Sequence, residues 1–484
     1  MNTKQFRFSQ PLSQPQAAPR SSFGALRKRA AQPGSSVPPQ RIPSEYPAPA
    51  LSLVPLASVP LSPAPLKLTV DVQRSIFAFG IEEWDRLVPR DEPQLRFEFL
   101  EAVEISRMGQ NPTYIAVRQN EQIVGIAVAY ETDIDLLTLA SPGLNQFAQA
   151  IRRGPLKRFL IARAMSCGPV ITNCRPNLLL APTLSPSLAQ EVAGLLVQGL
   201  DEVQGGDLRV LFEYSTTAVQ AFGTALERAG YAQGASLPGT QLEIVWPNFE
   251  AYTGAMRKFY RRAVKDDMIA GAELEIQIES DFSALAEEAH ALYENVLAKA
   301  SNVLERLTPE FFAALGHFEQ ARLVTAREKS SGRLVGIELL LVGDTVVQDL
   351  YTGVDYTLND KHNIYFNLVY PGLALACQEG FKTVSTGQTS YAFKSRLGVK
   401  PYGLSIFVKH RNPLVNALIR RFKNVLCPVV EAPTHRVFHD KTAADVPPST
   451  RKNKRKVQNA PSMPHNATTQ TAVDPVVVSH SFGA

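Results

Sequence analysis

At 484 residues the chain has room for two or three domains and a large core, and its formal charge of +5 is close to balanced. The four cysteines, Cys167, Cys174, Cys377 and Cys427, stand apart without CxxC spacing, which argues against a disulfide framework or a zinc site and fits a reducing cytosol. The apolar stretch ALSLVPLASVPLSPAPL is cut by Pro55, Pro60, Pro63 and Pro65, and no segment comes closer to the about 18 uninterrupted apolar residues of a spanning helix, so a soluble, cytoplasmic protein without stable membrane insertion is expected.

Along the chain the charge is uneven. Residues 1–70 carry Lys4, Arg7, Arg20, Arg27, Lys28, Arg29, Arg41 and Lys67 against one acid, Glu45. They also hold 13 of the 35 prolines, which bar a helix or a central strand, so a disordered basic arm is expected. The same prolines spoil the amphipathic helix that an organelle transit peptide needs. From residue 71 the pattern becomes α/β. TYIAVRQNEQIVGIAVAY (113–130) is two alternating runs about a polar turn, a hairpin. LRVLFEYS is a strand, TAVQAFGTALERAGY a helix ending at Gly230, and TQLEIVW another strand. NFEAYTGAMRKFYRRAVKDDMIAG is a connecting helix on which Arg261, Arg262 and Lys265 form either a solvated face or a contact for a phosphorylated donor or acceptor.

Helices are then expected at 282–300 and, behind Thr308-Pro309-Glu310, at 308–318. A second hairpin lies in ARLVTAREKSSGRLVGIELLLV (321–342), followed by the strand DTVVQDLYTGVD and the polar loop YTLNDKHN. The long helix IYFNLVYPGLALACQEG should kink at Pro371. Strand KTVST, a short helix in SYAFKSRLG and the strand GLSIFVKH complete the series. Beyond them, Leu414, Leu418, Phe422 and Val425 make one helical stripe, with Arg420, Arg421 and Lys423 around it. Docking on its own domain is the expectation for this helix and contact with anionic lipid the alternative. Residues 436–484 turn polar again, with RKNKRK at 451–456, and are expected to be a disordered tail.

Both hairpins start their second strand with Val-Gly-Ile, at 124–126 and 335–337, and the same order of strand, helix ending in glycine and strand follows each. Gly230 and Gly398 suit left-handed helix caps. Two repeats of one α/β unit are expected, at 71–247 and 248–435, each a mixed central sheet flanked by helices.

In the second repeat, a helical pair, a three-stranded meander, a polar loop, a long helix, a strand, a short helix ending in Leu-Gly and a final strand follow the element order of the GNAT acyltransferase fold. YTGVD (351–355), ACQEGFKTVSTG (376–387) and FKSRLG (393–398) resemble the BioF2-like acetyltransferases of that superfamily, which are related to the Fem aminoacyltransferases. The resemblance covers roughly 320–410 well, is fainter over the first repeat and is absent from both tails. It implies a tandem GNAT-like enzyme that moves an acyl group from a thioester, acyl-CoA first of all, to an amine or hydroxyl of a small molecule or cell-envelope precursor. The sequence departs from ordinary GNAT enzymes at the expected pyrophosphate loop, Leu358 to Asn363, which has no glycine. Lys361, His362, Asn363 and the helix-terminal amides are the phosphate-attracting groups left there, and without the close backbone approach glycine permits, an aminoacyl-tRNA or acyl carrier protein stays open as donor. A catalytically silent scaffold that docks through its tails is the rival of another class.

Acyl transfer needs a base, donors for the oxyanion and an acid for the leaving group. In the fold implied, these gather where the third and fourth strands of the meander region part. Asp349 and Tyr351 are expected to share one strand face by the two-residue period. Tyr391 is read either as leaving-group acid or as a packing residue, and Lys394 either as a surface cation or as a contact to donor phosphate or oxyanion. Gln388, Thr389 and Ser390 either cap the short helix or touch the donor. His290, His317 and His362 have no partner at metal-ligand spacing, so no metal is expected.

Overall fold

The computed structural model describes residues 67–439 except 136–149, 155–160, 169, 170, 172, 300–305 and 389. The arm to residue 66 and the tail from 440 lie outside the described residues. The first hairpin is β2 (Gln110–Gln119) with β3 (Gln122–Asp135), turning through Asn120 and Glu121, both in the left-handed region that a tight hairpin turn demands. Before it run β1 (Leu68–Gln73), α1 (Ile81–Asp85) and α2 (Phe97–Ile105). After it come β4 (Ile161–Cys167), β5 (Leu178–Leu180), α3 (Pro186–Glu202), β6 (Leu208–Tyr214), α4 (Thr216–Arg228), β7 (Ala232–Ala235) and β8 (Gly239–Glu243).

The chain continues through α5 (Phe249–Ala255), α6 (Lys258–Ala270), β9 (Leu274–Glu279), α7 (Ala286–Lys299) and α8 (Pro309–Leu315). The second hairpin is β10 (Ala321–Glu328) with β11 (Leu334–Val342), followed by β12 (Val346–Val354), α9 (Tyr356–His362) and α10 (Ile364–Glu379). The last elements are β13 (Thr383–Gly387), α11 (Tyr391–Ser395), β14 (Lys400–Tyr402), β15 (Ser405–His410) and α12 (Pro413–Leu426). Ser185, Ser215 and Thr308 start α3, α4 and α8 by accepting from the backbone N–H three residues on.

The strands make two sheets with one topology. The first is ordered β1-β2-β3-β4-β6-β15-β7, with β5 beside β3, and the second β9-β10-β11-β12-β13-β8-β14. In both, the first four strands are antiparallel, the fourth and fifth run parallel, and the last two are antiparallel again. The glycine of each Val-Gly-Ile lies under the helix that crosses between the parallel strands. A Cβ at Gly125 would stand 2.6 Å from Val192 of α3, and one at Gly336 would stand 2.5 Å from Ile364 of α10. Only glycine permits so close an approach of helix to strand.

Each sheet takes its sixth strand from the other part of the chain. β8, read from sequence as part of 71–247, lies between β13 and β14, where Leu242 shares a core with Val347 and Val384. β15, read as part of 248–435, lies between β6 and β7, and the Phe407 ring meets that of Tyr214 at 5.4 Å. Alternation identifies a strand but not its neighbour, so the exchange across 247/248 is invisible in the pattern.

The repeats also share a core. Phe99 of α2 packs edge-on against Phe311 of α8 at 5.8 Å and against Phe318 at 6.1 Å. Asp91 accepts from Thr345 N at 2.8 Å, Thr345 Oγ1 at 2.7 Å and Val346 N at 3.2 Å, pinning the turn that launches β12. Against the cost of burial, these bonds hold its carboxyl below the ordinary carboxylate value.

Four other expectations change. The polar loop at 356–363 is mostly helix α9, capped by the Asp355 side chain, with Asn363 in the left-handed conformation before α10. The connecting helix is two, α5 and α6, broken at Met256 and Arg257. The C-terminal tail does not begin at 436, because Val437 is buried and the Phe438 ring lies 4.7 Å from that of Trp246; likewise β1 already includes residues 68–70. Finally, the apolar stripe of α12 faces outward, and the helix rests on its sheet through Asn416, Ile419 and Cys427 instead.

Candidate active site

β12 and β13 run side by side for three residue pairs, Val346–Thr383, Val347–Val384 and Gln348–Ser385, and then part. Past this point β13 turns to β8 with a register shift that brings Gly387 opposite Thr240. The Thr240 and Thr386 hydroxyls meet at 2.8 Å, and the Thr240 hydroxyl also reaches Gly387 O at 2.6 Å. Gly387 has φ +69, which its lack of a side chain allows, and Ser390 holds φ +48 at the start of α11.

On the other side of the gap, β12 has a bulge. Tyr351 pairs with Leu339 and Asp349 with Leu340, so Leu350 is the extra residue. A bulge breaks the two-residue alternation, and the expected common face of Asp349 and Tyr351 does not form. Leu350 and Tyr351 turn together toward α7, where the Tyr351 ring meets that of Tyr293 at 5.7 Å. Asp349 turns with Thr352 and Glu338 toward α10.

Lys394, one helical turn beyond Tyr391, reaches into the gap. Its Nζ donates to Thr386 O and, at 2.9 Å, to Gln388 O, so the ammonium takes up carbonyls that the parting of the strands leaves unpaired. Burial pushes its value down, while the charges of Asp349, Cys174 and Glu338 oppose that shift. Glu338, fully buried in β11, has its carboxyl pushed well above the ordinary value by burial, with the Asp349 charge and hydrogen bond adding to the effect and Thr352 and Lys394 opposing it. Its Oε2 finds no hydrogen-bond partner among the described residues. Burial also raises the Tyr365 phenol, with Glu338 and Asp349 adding and a hydrogen bond to Ser390 opposing. Two carboxyls, one of them raised by burial, and the Lys394 amine therefore converge where β12 and β13 separate.

The first repeat closes one side of this place. Asn173 Nδ2 donates to Gln348 Oε1 at 3.1 Å, and the backbone N–H groups of Asn173 and Cys174 both donate to Glu213. Burial raises the Cys174 thiol, the nearby Glu213 adds to the shift, and Lys394 lowers it.

The remaining expected site residues divide. Tyr391 donates its hydroxyl to Pro238 O at 2.9 Å and Gln388 its amide to Leu237 O at 2.9 Å, both fastening α11 to the β7–β8 connection. Thr389 lies outside the described residues. His362 is buried with Nδ1 at 3.2 Å from Ala270 O, and Asn363 donates to Asp267 Oδ1 at 3.0 Å, so both face α6. Lys361 is exposed on α9. The Tyr365 N–H at the start of α10 is taken by Asn359 Oδ1 at 3.2 Å. Among the described residues no group of three His, Cys, Asp or Glu side chains could hold a metal ion.

Sequence reasoning passed over Glu338, although it left a signal. It is the one charged residue in the strand LVGIELLLV, and a carboxylate in such a strand must be neutralised or paired.

The acetyltransferase (GNAT) domain family matches residues 254–395, from α5 through α11. Over residues 254–395 the chain is similar to the GNAT domain family. No curated protein matches the chain in sequence. Among solved structures, FemX is 12% identical over 72% of this chain and 100% of its own, with a TM-score of 0.49. The C-terminal domain of a putative lysylphosphatidylglycerol synthetase from Agrobacterium fabrum is 11% identical over 56% of this chain and 88% of its own, with a TM-score of 0.36. A tandem GNAT protein from the clavulanic acid biosynthesis pathway is 11% identical over 72% and 99% of the two chains, with a TM-score of 0.34. This match supports an acyltransferase, and the parting of β12 and β13 lies within the matched residues.

Proposed function

We propose that the protein moves an acyl group directly from an activated donor to an amine or hydroxyl, with the reacting carbonyl at the gap between β12 and β13. The observation that carries this reading is the convergence of Lys394, Asp349 and Glu338 there. An ammonium has three N–H groups, and two of those on Lys394 already bind backbone carbonyls, which fixes the head and leaves the third for a developing oxyanion. As the acceptor attacks the carbonyl, Asp349 takes its proton. Collapse of the tetrahedral species breaks the bond to the leaving group, which recovers a proton from the Asp349–Glu338 pair. Tyr391 and Gln388 hold α11 in place, with Ser390 beside the donor.

The donor proposed is acyl-CoA in the cytoplasm, and the acceptor a small molecule or cell-envelope precursor lying between the repeats. A second reading, aminoacyl transfer from tRNA, is favoured by one observation: Asn359 already occupies the Tyr365 N–H where a pyrophosphate would otherwise be held.

Calorimetric titration of the full chain with CoA and short acyl-CoAs, beside a Lys394→Met variant, tests both. Binding to the wild type, with acyl turnover lowered about 100-fold or more in the variant, is the expected result. No binding at millimolar CoA, combined with salt-sensitive binding of charged tRNA, moves the assignment to the second reading. Full turnover by the Lys394→Met variant sinks the site.

A further inference from the structure

We infer that α12 is a docking face for an anionic lipid surface, by which the enzyme rests on a membrane without crossing it. The helix is amphipathic in the wrong sense for a helix that serves only its own domain. Leu414, Leu418, Phe422 and Val425 are 77%, 58%, 50% and 67% exposed, and none of the helix's residues is buried. The apolar surface continues past the helix end in exposed Val429 and Val430. The opposite side is the one that anchors: Asn416 accepts from His410 N and donates to Gly230 O, both at 3.0 Å, while Ile419 packs against the core of the first sheet. The outward stripe is therefore held on its sheet with nothing over it among the described residues.

Charge decides what covers it. From Arg411 to Val430 the sequence holds four basic residues and no Asp or Glu. Arg420, Arg421 and Lys423 lie on α12 itself, and Arg411 just before it. The chain's own tails are poor covers, because residues 1–70 and 451–456 are basic as well. A second copy of the chain would bring like charge against like charge across a two-fold contact. An exposed Leu, Phe and Val stripe on a helix that also carries Arg420, Arg421 and Lys423 is the pattern of a helix lying in the plane of a negatively charged lipid interface. No described helix is long and apolar enough to cross a membrane, which fits surface attachment.

The test uses the full chain with phosphatidylcholine vesicles, with and without phosphatidylglycerol, and is independent of the acyl-transfer reading because no donor is present. The wild type is expected to sediment with the anionic vesicles only. A Leu418→Ser/Phe422→Ser variant, altered at exposed positions and checked for an unchanged Tm, should partition about tenfold more weakly. A Phe422→Trp variant should shift its emission to the blue on binding, reporting entry into the interface. Binding that survives the double substitution unchanged would assign the attachment to the basic tails and overturn the proposal, as would equal binding to neutral vesicles. A wild type that ignores both vesicles, but whose sedimentation mass falls in the double variant, would make a second copy or an acidic protein the occupant and likewise overturn it.

Discussion

The two repeats have the same strand order, the same strand directions and the same glycine under the same helix, yet among the described residues only one brings a lysine to two carboxyls at the parting of its parallel strands. Three residues after Val335 the second repeat has Glu338; three residues after Val124 the first has Ala127. After its fifth strand the second repeat turns into the five-residue α11, which delivers Lys394 to the gap. At the same place the first repeat builds the thirteen-residue α4, whose single cation, Arg228, comes at its last position. There Tyr214, Phe222 and Phe407 stack edge-on with ring centroids 5.4 to 6.3 Å apart, so packing occupies the space that charge occupies in the other repeat. A buried carboxyl costs stability unless something requires it, and at the position matching Glu338 the first repeat manages with an alanine. The pair thus separates what the topology needs from what the site needs.

The comparison breaks most completely if the repeats are parted. Cutting between 247 and 248 leaves the second sheet without β8, so β13 loses its antiparallel neighbour, and strands β15 and β7 are left on different pieces. Fragments 67–247 and 248–439, each expressed alone, should show no cooperative thermal transition by circular dichroism, whereas the two together should recover one. A sharp transition in either fragment alone would mean that the exchanged strands are dispensable, and that each repeat is a domain in its own right.

A milder intervention asks whether the repeats are equivalent in packing. Gly125→Ala and Gly336→Ala each push a methyl against a neighbouring aliphatic side chain, Val192 in one case and Ile364 in the other. The closest approaches differ by only a tenth of an ångström, so both substitutions should cost about 1 to 3 kcal/mol by chemical denaturation, to similar extents. A wide difference between them would show that one of the crossing helices yields more easily, and that the symmetry is of topology alone.

What could be read in advance follows the same division. Local periodicity locates strands and helices, so both hairpins, the strand now called β12 and the short helix α11 stood out, as did the repeat once Val-Gly-Ile was matched in order. Pairing partners are not local, which is why β8 and β15 were assigned to the wrong sheets. A single extra residue at Leu350 defeats a period of two, and this misplaced Tyr351 relative to Asp349. Lys394 was picked out by a family pattern, and its two backbone carbonyls could be known only from the fold. Glu338 was legible as an isolated charge in an apolar strand, but its companion Asp349 comes to the same sheet face only after the bulge is counted.

The smallest effect is the most pointed. Glu338→Gln keeps the size of the side chain while removing its charge. Because the folded-state carboxyl of Glu338 is raised well above its ordinary value of 4.5, mainly by burial, the folded protein holds this proton more tightly than the unfolded chain does. The group's contribution to stability is then fullest below pH 4.5 and falls as pH rises through the window between 4.5 and the raised folded value. The glutamine variant carries no such loss. Its Tm should match the wild type in acid and exceed it progressively above pH 4.5, while acyl transfer falls because Asp349 must return the proton to the leaving group without its partner carboxyl. Stability gained with activity lost would mark Glu338 as a strain retained for chemistry in the second repeat and absent at Ala127 in the first. If both curves follow the wild type at every pH, Glu338 carries no tightly held proton, and the distinction between the repeats rests on Lys394 and Asp349.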